Sequence, residues 1–379
     1  MYNNVIDRKS NERVYARLQS RINLGVKEQQ ALIDRVVQMV IRDKLVPPAS
    51  TKFRVSEGTR LKVIYPNEEC IIHRHALGQL ASKVELPMTY VSKLHDGHRD
   101  PWRLELLAHN MNELFSKTPF RDRNGQPKFL HRIVNGELRG FLSRRFNRHL
   151  ASAPLLRSFL DTCKEVGAEP VEAVATDVRL GMRCFLPFVF EPIPNEFIAI
   201  GADWSNSDFG AGKLSVSVCL WMANNDRSAV LDQAISRVHI GSIIDDADVE
   251  MSDDTYLKEA EAQAMAIADT VRSQLSVDNV ERIVEAIGSA REEEIPWYRL
   301  RGQLARFLNK KELEDLKTCL DDEVIDLPPV GKDDQGRPLA NAYWAMSALS
   351  KLASKTDDPD RKVELQHAAG SLIKLGAAA

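Results

Sequence analysis

The 379-residue chain reads as an α+β protein: a central antiparallel sheet domain flanked by an N-terminal helical region with a helix-turn-helix-like unit and a C-terminal helical region. Three observations predict this. Apolar residues recur at helical spacing over residues 10–44 and again after Asp254. Over 214–222 the period changes to two, with Val216, Val218 and Leu220 alternating against Ser215, Ser217 and Cys219, as in a sheet with one better-buried face. No G-x-G-x-x-G or Walker loop occurs, so the usual nucleotide-binding fingerprints are missing.

Taken in order, the first helix carries Val14, Leu18, Ile22, Leu24, Leu32, Ile33, Val36, Val37 and Val40, with Gly25 expected to interrupt it and Pro47-Pro48 to end it. Thr51 to Tyr65 reads as a strand pair turning at Glu57-Gly58, and His73 to Ser116 as a helical block. Two Asn-Gly pairs and two prolines over 118–137 mark loop and hairpin, which places the first boundary there. Strand-like runs follow at 138–143, 171–176, 182–190, 197–202 and 214–222. Among them lies one helix, opened by Ser152 and Pro154 and closed by Gly167. The tract Ser205 to Gly212 reads as a tight, flexible turn between two strands. The resulting regions are 1–117, basic and helical; 118–243, the sheet core; and 254–379, acidic and helical.

Composition narrows the class. With 44% hydrophobic residues and a net charge of −3, the bulk of the chain folds. No apolar stretch approaches the roughly 18–20 residues of a membrane helix, and the polar N-terminal segment has no signal-like core. Five scattered cysteines, at 70, 163, 184, 219 and 319, fit reduced thiols in a cytoplasmic setting.

The small net charge hides an asymmetry. Residues 1–150 hold 27 Lys and Arg against 15 Asp and Glu, a net +12, which leaves −15 for the remainder. Such a split hints at a polyanion-binding face beside a part that is not one. The densest stretch is 120–149, where Arg121, Arg123, Lys128, Arg132, Arg139, Arg144, Arg145 and Arg148 meet two acids. Phe120, Phe129, Phe141 and Phe146 interleave with these bases. Guanidinium groups neutralise phosphates and aromatic rings stack unpaired bases, so this is the composition of a single-strand groove. Arg179, Arg183 and Lys213 extend the candidate contact set. The alternative is a core of phenylalanines beneath a solvated or acid-paired cationic face.

Residues 77–94, LGQLASKVELPMTYVSKL, fit a helix-turn-helix template with Leu80, Val84, Leu86, Val91 and Leu94 inward, Ala81 at the close approach and Pro87 opening the second helix. Glu85 stands where glycine usually supplies a positive φ. Cys70, His73 and His75, with His95 and His98, match no standard zinc module, and no metal or other cofactor is expected. The acidic run 243–254 reads as a solvated linker, with a metal-dependent nuclease as the alternative it would serve. No catalytic residues stand out, and an enzyme is not expected.

The stretch 201–242 resembles the phage/plasmid-like family of uncharacterised proteins. The likeness rests on Asn206-Ser207-Asp208 with Gly210, then Asn224-Asn225, then Arg237-Val238-His239 with Gly241. Residues 77–94 and 138–156 resemble further stretches of that family, whereas Trp221 to Asn225 lacks its cysteine and glycine and Asp208 replaces its glutamate. The resemblance implies a mobile element and the cytoplasm of a bacterial host, and supplies no catalytic residues. The functional expectation is therefore nucleic-acid binding, most plausibly single-stranded DNA binding or annealing in recombination, by a homo-oligomer. An interaction protein acting on a host factor, with a protein partner at the acidic C-terminal region, is the alternative.

Overall fold

The computed structural model describes residues 2–56, 60–96, 100–118, 129–143, 146, 150–238, 252–292, 294–316 and 339–373. They form an α+β fold around two six-stranded sheets.

Helix α1 (Glu12–Gln38) runs unbroken through Gly25. The expected interruption is absent because Gly25 serves packing: a β-carbon there would overlap the backbone of Pro170 and Val171. Its buried face, including Leu18 and Ile22, packs on the second sheet, so the helix belongs with the distant half of the chain.

The chain then leaves to build a small unit. Strands β1 (Ile41–Val46), β2 (Lys52–Ser56), β3 (Arg60–Ile64), β4 (Glu69–Ile72), β5 (Phe129–Val134) and β6 (Glu137–Ser143) pair in the order β1-β5-β6-β4-β3-β2. All pairs are antiparallel except β4 with β6. Asn135 and Gly136, both at positive φ, make the β5–β6 hairpin turn that their sequence announced. Helices α2 (Arg74–Lys83), α3 (Met88–His95) and α4 (Pro101–Lys117) cover one face through Leu77, Leu80, Val91, Leu107 and Met111. The boundary expected at 118 cuts through this sheet, since β5 and β6 lie between β1 and β4; the unit runs from 41 to 143 as an excursion between α1 and the rest.

The chain re-enters the larger unit through α5 (Ser152–Glu165), which Gly167 at φ +78° ends as expected. Ala151 rather than Ser152 caps it, because Ser152 is buried and bonded elsewhere. Strands β7 (Glu169–Ala175), β8 (Leu180–Phe185), β9 (Phe190–Ile193), β10 (Glu196–Asn206), β11 (Lys213–Met222) and β12 (Arg227–Val238) form the second sheet, ordered β12-β11-β10-β8-β7 with β9 on β10. It is antiparallel throughout.

Both faces of this sheet are covered. Met182, Ile200, Trp204, Val216, Val218 and Leu220 share one core with α5, α6 (Asp253–Gln274), α7 (Val277–Glu292), α8 (Trp297–Leu304), the short helix α9 over 310–316, and α10 (Ala342–Ser354). The opposite face, with Phe185, Ala199, Cys219, Trp221 and Val230, receives α1. Helix α11 (Pro359–Gly370) joins it there, Gly370 lying against the Val230 carbonyl and Gln366 accepting from Arg183 at 2.7 Å. Strands β13 (Glu294–Pro296) and β14 (Leu339–Asn341) make a small ribbon beside α8. The expected third region at 254–379 is thus no separate body in its described helices: they bury their apolar faces in the sheet's own core.

Candidate nucleic-acid interface

The two units meet around the turn from Ser205 to Gly212, which joins β10 to β11. Asn206, Ser207 and Asp208 are buried, so the turn is a docking element rather than the flexible tip expected. Ser207 Oγ donates to the Val178 carbonyl at 2.6 Å and accepts from Ala211 N at 3.0 Å, which shapes the turn. Asp208 Oδ1 accepts from Ser152 N at 3.0 Å, and Asn206 Nδ2 donates to Ser152 Oγ at 2.9 Å. From the small unit, Gln79 Nε2 and His75 Nε2 both donate to the Phe209 carbonyl, at 2.8 and 3.0 Å. Burial pushes the His75 imidazole below its ordinary pKa, against the opposing effect of that carbonyl.

This junction reassigns several candidate contacts. Arg132 is 1% exposed; its Nε and Nη2 clamp the Asp43 carboxylate at 2.9 Å each, and Nη1 donates to the Asp208 carbonyl at 3.0 Å. Arg183 is equally enclosed, bonded to Asp203 at 2.6 Å and Glu172 at 2.9 Å. Phe141 lies in the small unit's core and Phe146 beneath the Arg132 guanidinium, 5.0 Å away. These four are corrected: a buried arginine already neutralised by carboxylates has no charge to offer a phosphate, and a buried ring has no face for a base. Arg144, Arg145 and Arg148 lie outside the described residues. Arg139, Arg179 and Lys213 keep partial exposure. Arg139 and Arg179 come together at the unit junction, and Lys213 opens β11 opposite Val238.

Among the described residues, the exposed cations of the small unit are divided between its strands (Arg42, Lys52, Arg54 and Arg60) and its helices (Arg74, Lys83, Lys93 and Lys117). The helix-turn-helix reading holds in outline: α2 and α3 are joined by Val84 to Pro87, and Glu85 takes the positive φ (+56°) that glycine usually supplies. Arg74, His75, Gly78, Gln79, Ser82 and Lys83 present one side of α2 to an open cleft of about 550 Å³, closed by Met88 and by residues 141–143 of β6. Arg74 and Lys83 stand at its two ends, roughly 13 Å apart along the helix axis. Arg74 is 66% exposed and meets Asp96 at 3.4 Å, a surface pair that a phosphate can replace at little cost. Gly78 leaves the middle of the cleft open, since a β-carbon there would touch only the Met88 side chain, at 3.6 Å. Ser143, on the cleft wall, is followed directly in the chain by Arg144 and Arg145.

Sequence reasoning missed the aromatic of this region. Trp102, in the first turn of α4, is 57% exposed with the Arg103 guanidinium 5.6 Å from its ring centre. Periodicity could have found it, because the buried stripe of α4 runs through Leu104, Leu107, Ala108, Met111 and Phe115 and leaves 102 off it. Lys93, exposed on α3, offers its carbonyl to Arg103 Nη1 at 3.5 Å, which ties the end of α3 to the first turn of α4.

No metal-binding group of three or more His, Cys, Asp or Glu occurs among the described residues, and Cys70 is a buried free thiol. No described helix is long and apolar enough to cross a membrane. No family model, no curated protein and no solved structure matches the chain.

Proposed function

We propose that the protein binds nucleic acid, preferring single strands, through the helical side of the small unit. One observation carries the reading: an open cleft runs the length of α2, a cation at each end and a glycine in its middle. Arg74, Lys83 and Lys93 serve as phosphate contacts, and Trp102 is the surface on which an unpaired base stacks. A duplex keeps its bases inside the stack and has no use for that ring, which is why single strands are favoured. The binding needs no catalytic residue and no cofactor. Neutralising two strands while holding their bases open lowers the barrier to pairing, so annealing in the recombination of a phage or plasmid is the role proposed for it.

The test is fluorescence anisotropy of labelled single-stranded and duplex oligonucleotides at low and moderate salt. Salt-sensitive binding that favours single strands is expected. Replacing Arg74 and Lys83 together by Ala should weaken it for all sequences and flatten the log–log salt slope by about 1.4, at about 0.7 per lost phosphate contact. Absence of binding at low salt, or an unchanged slope in the double variant, overturns the reading.

A further inference from the structure

A second cationic site lies at the junction of the two units. Arg35 from the last turn of α1, Arg139 from β6 and Arg179 from the turn just before β8 line one narrow cavity with Met39, Asp177, Asp208 and Phe209. Its enclosed volume is about 10 Å³, the space of a single water.

These three arginines differ from the two buried ones. Arg132 and Arg183 are each neutralised by carboxylates at 2.9 Å or less. The junction arginines are held chiefly by neutral oxygens. Arg35 donates to the carbonyls of Ala175 and Thr176 at 3.1 and 2.9 Å, and Arg179 to Ser205 Oγ at 3.2 Å. Arg139 donates to the Asp177 carbonyl and lies 5.2 Å over the Phe209 ring, with its Nε buried and without a hydrogen-bond partner. Two carboxylates stand near. That of Asp208 is turned to the amide of Ser152 at 3.0 Å. That of Asp177 is 74% exposed and only grazes the cluster, 3.5 Å from Arg139 Nη2 and 3.7 Å from His73 Nε2.

We propose that this junction is an oxyanion site for a phosphate group, and that the Asp177 carboxylate is the resident anion a phosphate displaces. Guanidinium forks match tetrahedral phosphate oxygens as well as they match carboxylates, and a phosphate brings more negative charge and one more acceptor oxygen. Because the Asp177 carboxylate is exposed and makes long contacts, a phosphate can take its place beside Arg139 at little cost. The site does not depend on nucleic-acid binding by the α2 cleft; its phosphate is either free or part of a strand's backbone.

The experiment is thermal unfolding of the full chain with inorganic phosphate or with chloride at equal ionic strength. Phosphate should raise the midpoint beyond chloride in the unaltered protein. Asp177→Asn should tighten phosphate binding about tenfold by removing the competing carboxylate, and adding Arg179→Gln or Arg139→Gln should abolish the excess. Arg179→Gln gives up one bond to a serine hydroxyl, so it carries the test if Arg139→Gln fails to fold. A base-free deoxyribose-phosphate oligomer separates the sources. Tighter binding than inorganic phosphate, lost with Arg179→Gln, assigns the site to backbone, and no gain assigns it to a free anion. Equal responses to phosphate and chloride in both the unaltered protein and Asp177→Asn overturn the proposal. So does a phosphate response that survives both arginine substitutions, or one that Asp177→Asn leaves no stronger.

Discussion

Gly25 of α1 rests directly on Val171 of the edge strand β7, backbone against backbone, with no room for a side chain on the helix. That contact holds the first helix to strands some 145 residues later in the chain, and lets the small unit depart and return between them. Helix propensity alone favours Ala over Gly by about 1 kcal/mol. Gly25→Ala should nevertheless destabilise the protein by about 1–3 kcal/mol or more, because overpacking against backbone has no rotamer to relax into. Urea unfolding measures this, and a stabilised variant would show that α1 is not seated as described.

Gly78 makes the opposite case. Its neighbourhood is open except for the Met88 side chain, so Gly78→Ala should stabilise by about 0.5–1 kcal/mol. Gly78→Leu should keep the fold while filling the cleft between Arg74 and Lys83. Oligonucleotide affinity is then expected to fall with Leu and to stay near its starting value with Ala. Equal binding by both variants would move the strand off this cleft.

Arg132 and Arg74 should separate stability from binding. Arg132→Ala leaves Asp43 unpaired at 15% exposure and the Asp208 carbonyl short of a donor, a loss of about 3–5 kcal/mol. Oligonucleotide affinity of the fraction still folded should not change. Arg74→Ala, at the surface, should leave the denaturation midpoint nearly unmoved and weaken binding. Paired denaturation and anisotropy curves check both statements, and reversed effects would restore Arg132 to the contact set.

Most elements were legible in the sequence where periodicity and turn chemistry act locally, although the helical spacing read over 10–44 overran the end of α1 at Gln38 and hid strand β1 at Ile41–Val46. The strand through Val216, Val218 and Leu220, the Asn135-Gly136 hairpin and the stop at Gly167 all reappear. The one better-buried face does not: Ser215, Ser217 and Cys219 are as buried as the residues they alternate with, because helices cover both faces. Their grouping was not legible, because it rests on contacts distant in sequence. Gly25 looked like a helix breaker and is a packing site, and the loop-like composition before β5 hid a strand that completes an earlier sheet. The +12 of the first 150 residues therefore does not describe one body, since α1 carries part of it to the larger unit. Among the candidate contacts, composition identified the arginines but not their partners. Asp43 and Asp203 lie 89 and 20 residues from the arginines they neutralise, and nothing local in the sequence joins them.

His131 sets the acid limit of the small unit. It is fully buried on β5, its Nδ1 at 2.8 Å from the Tyr65 hydroxyl and its ring edge-on to Phe141. Burial, helped by Lys44, pushes its pKa from 6.5 down to about 3. Between those values the unfolded chain binds a proton that the folded protein refuses, so stability is complete above pH 6.5 and falls as pH drops toward 3. The slope from this one group approaches about 1.4 kcal/mol per pH unit in that window. His73, His75 and His367, all lowered chiefly by burial, steepen it in the same direction. His131→Phe should lower stability at neutral pH, because the Tyr65 hydroxyl loses its partner, at about 1–3 kcal/mol. It should also flatten the pH dependence between 6 and 4, and that flattening is the readout, since it is independent of the offset. Urea midpoints taken at half-unit pH steps for both proteins measure it; parallel curves would mean that His131 titrates in the folded state as freely as in the unfolded one.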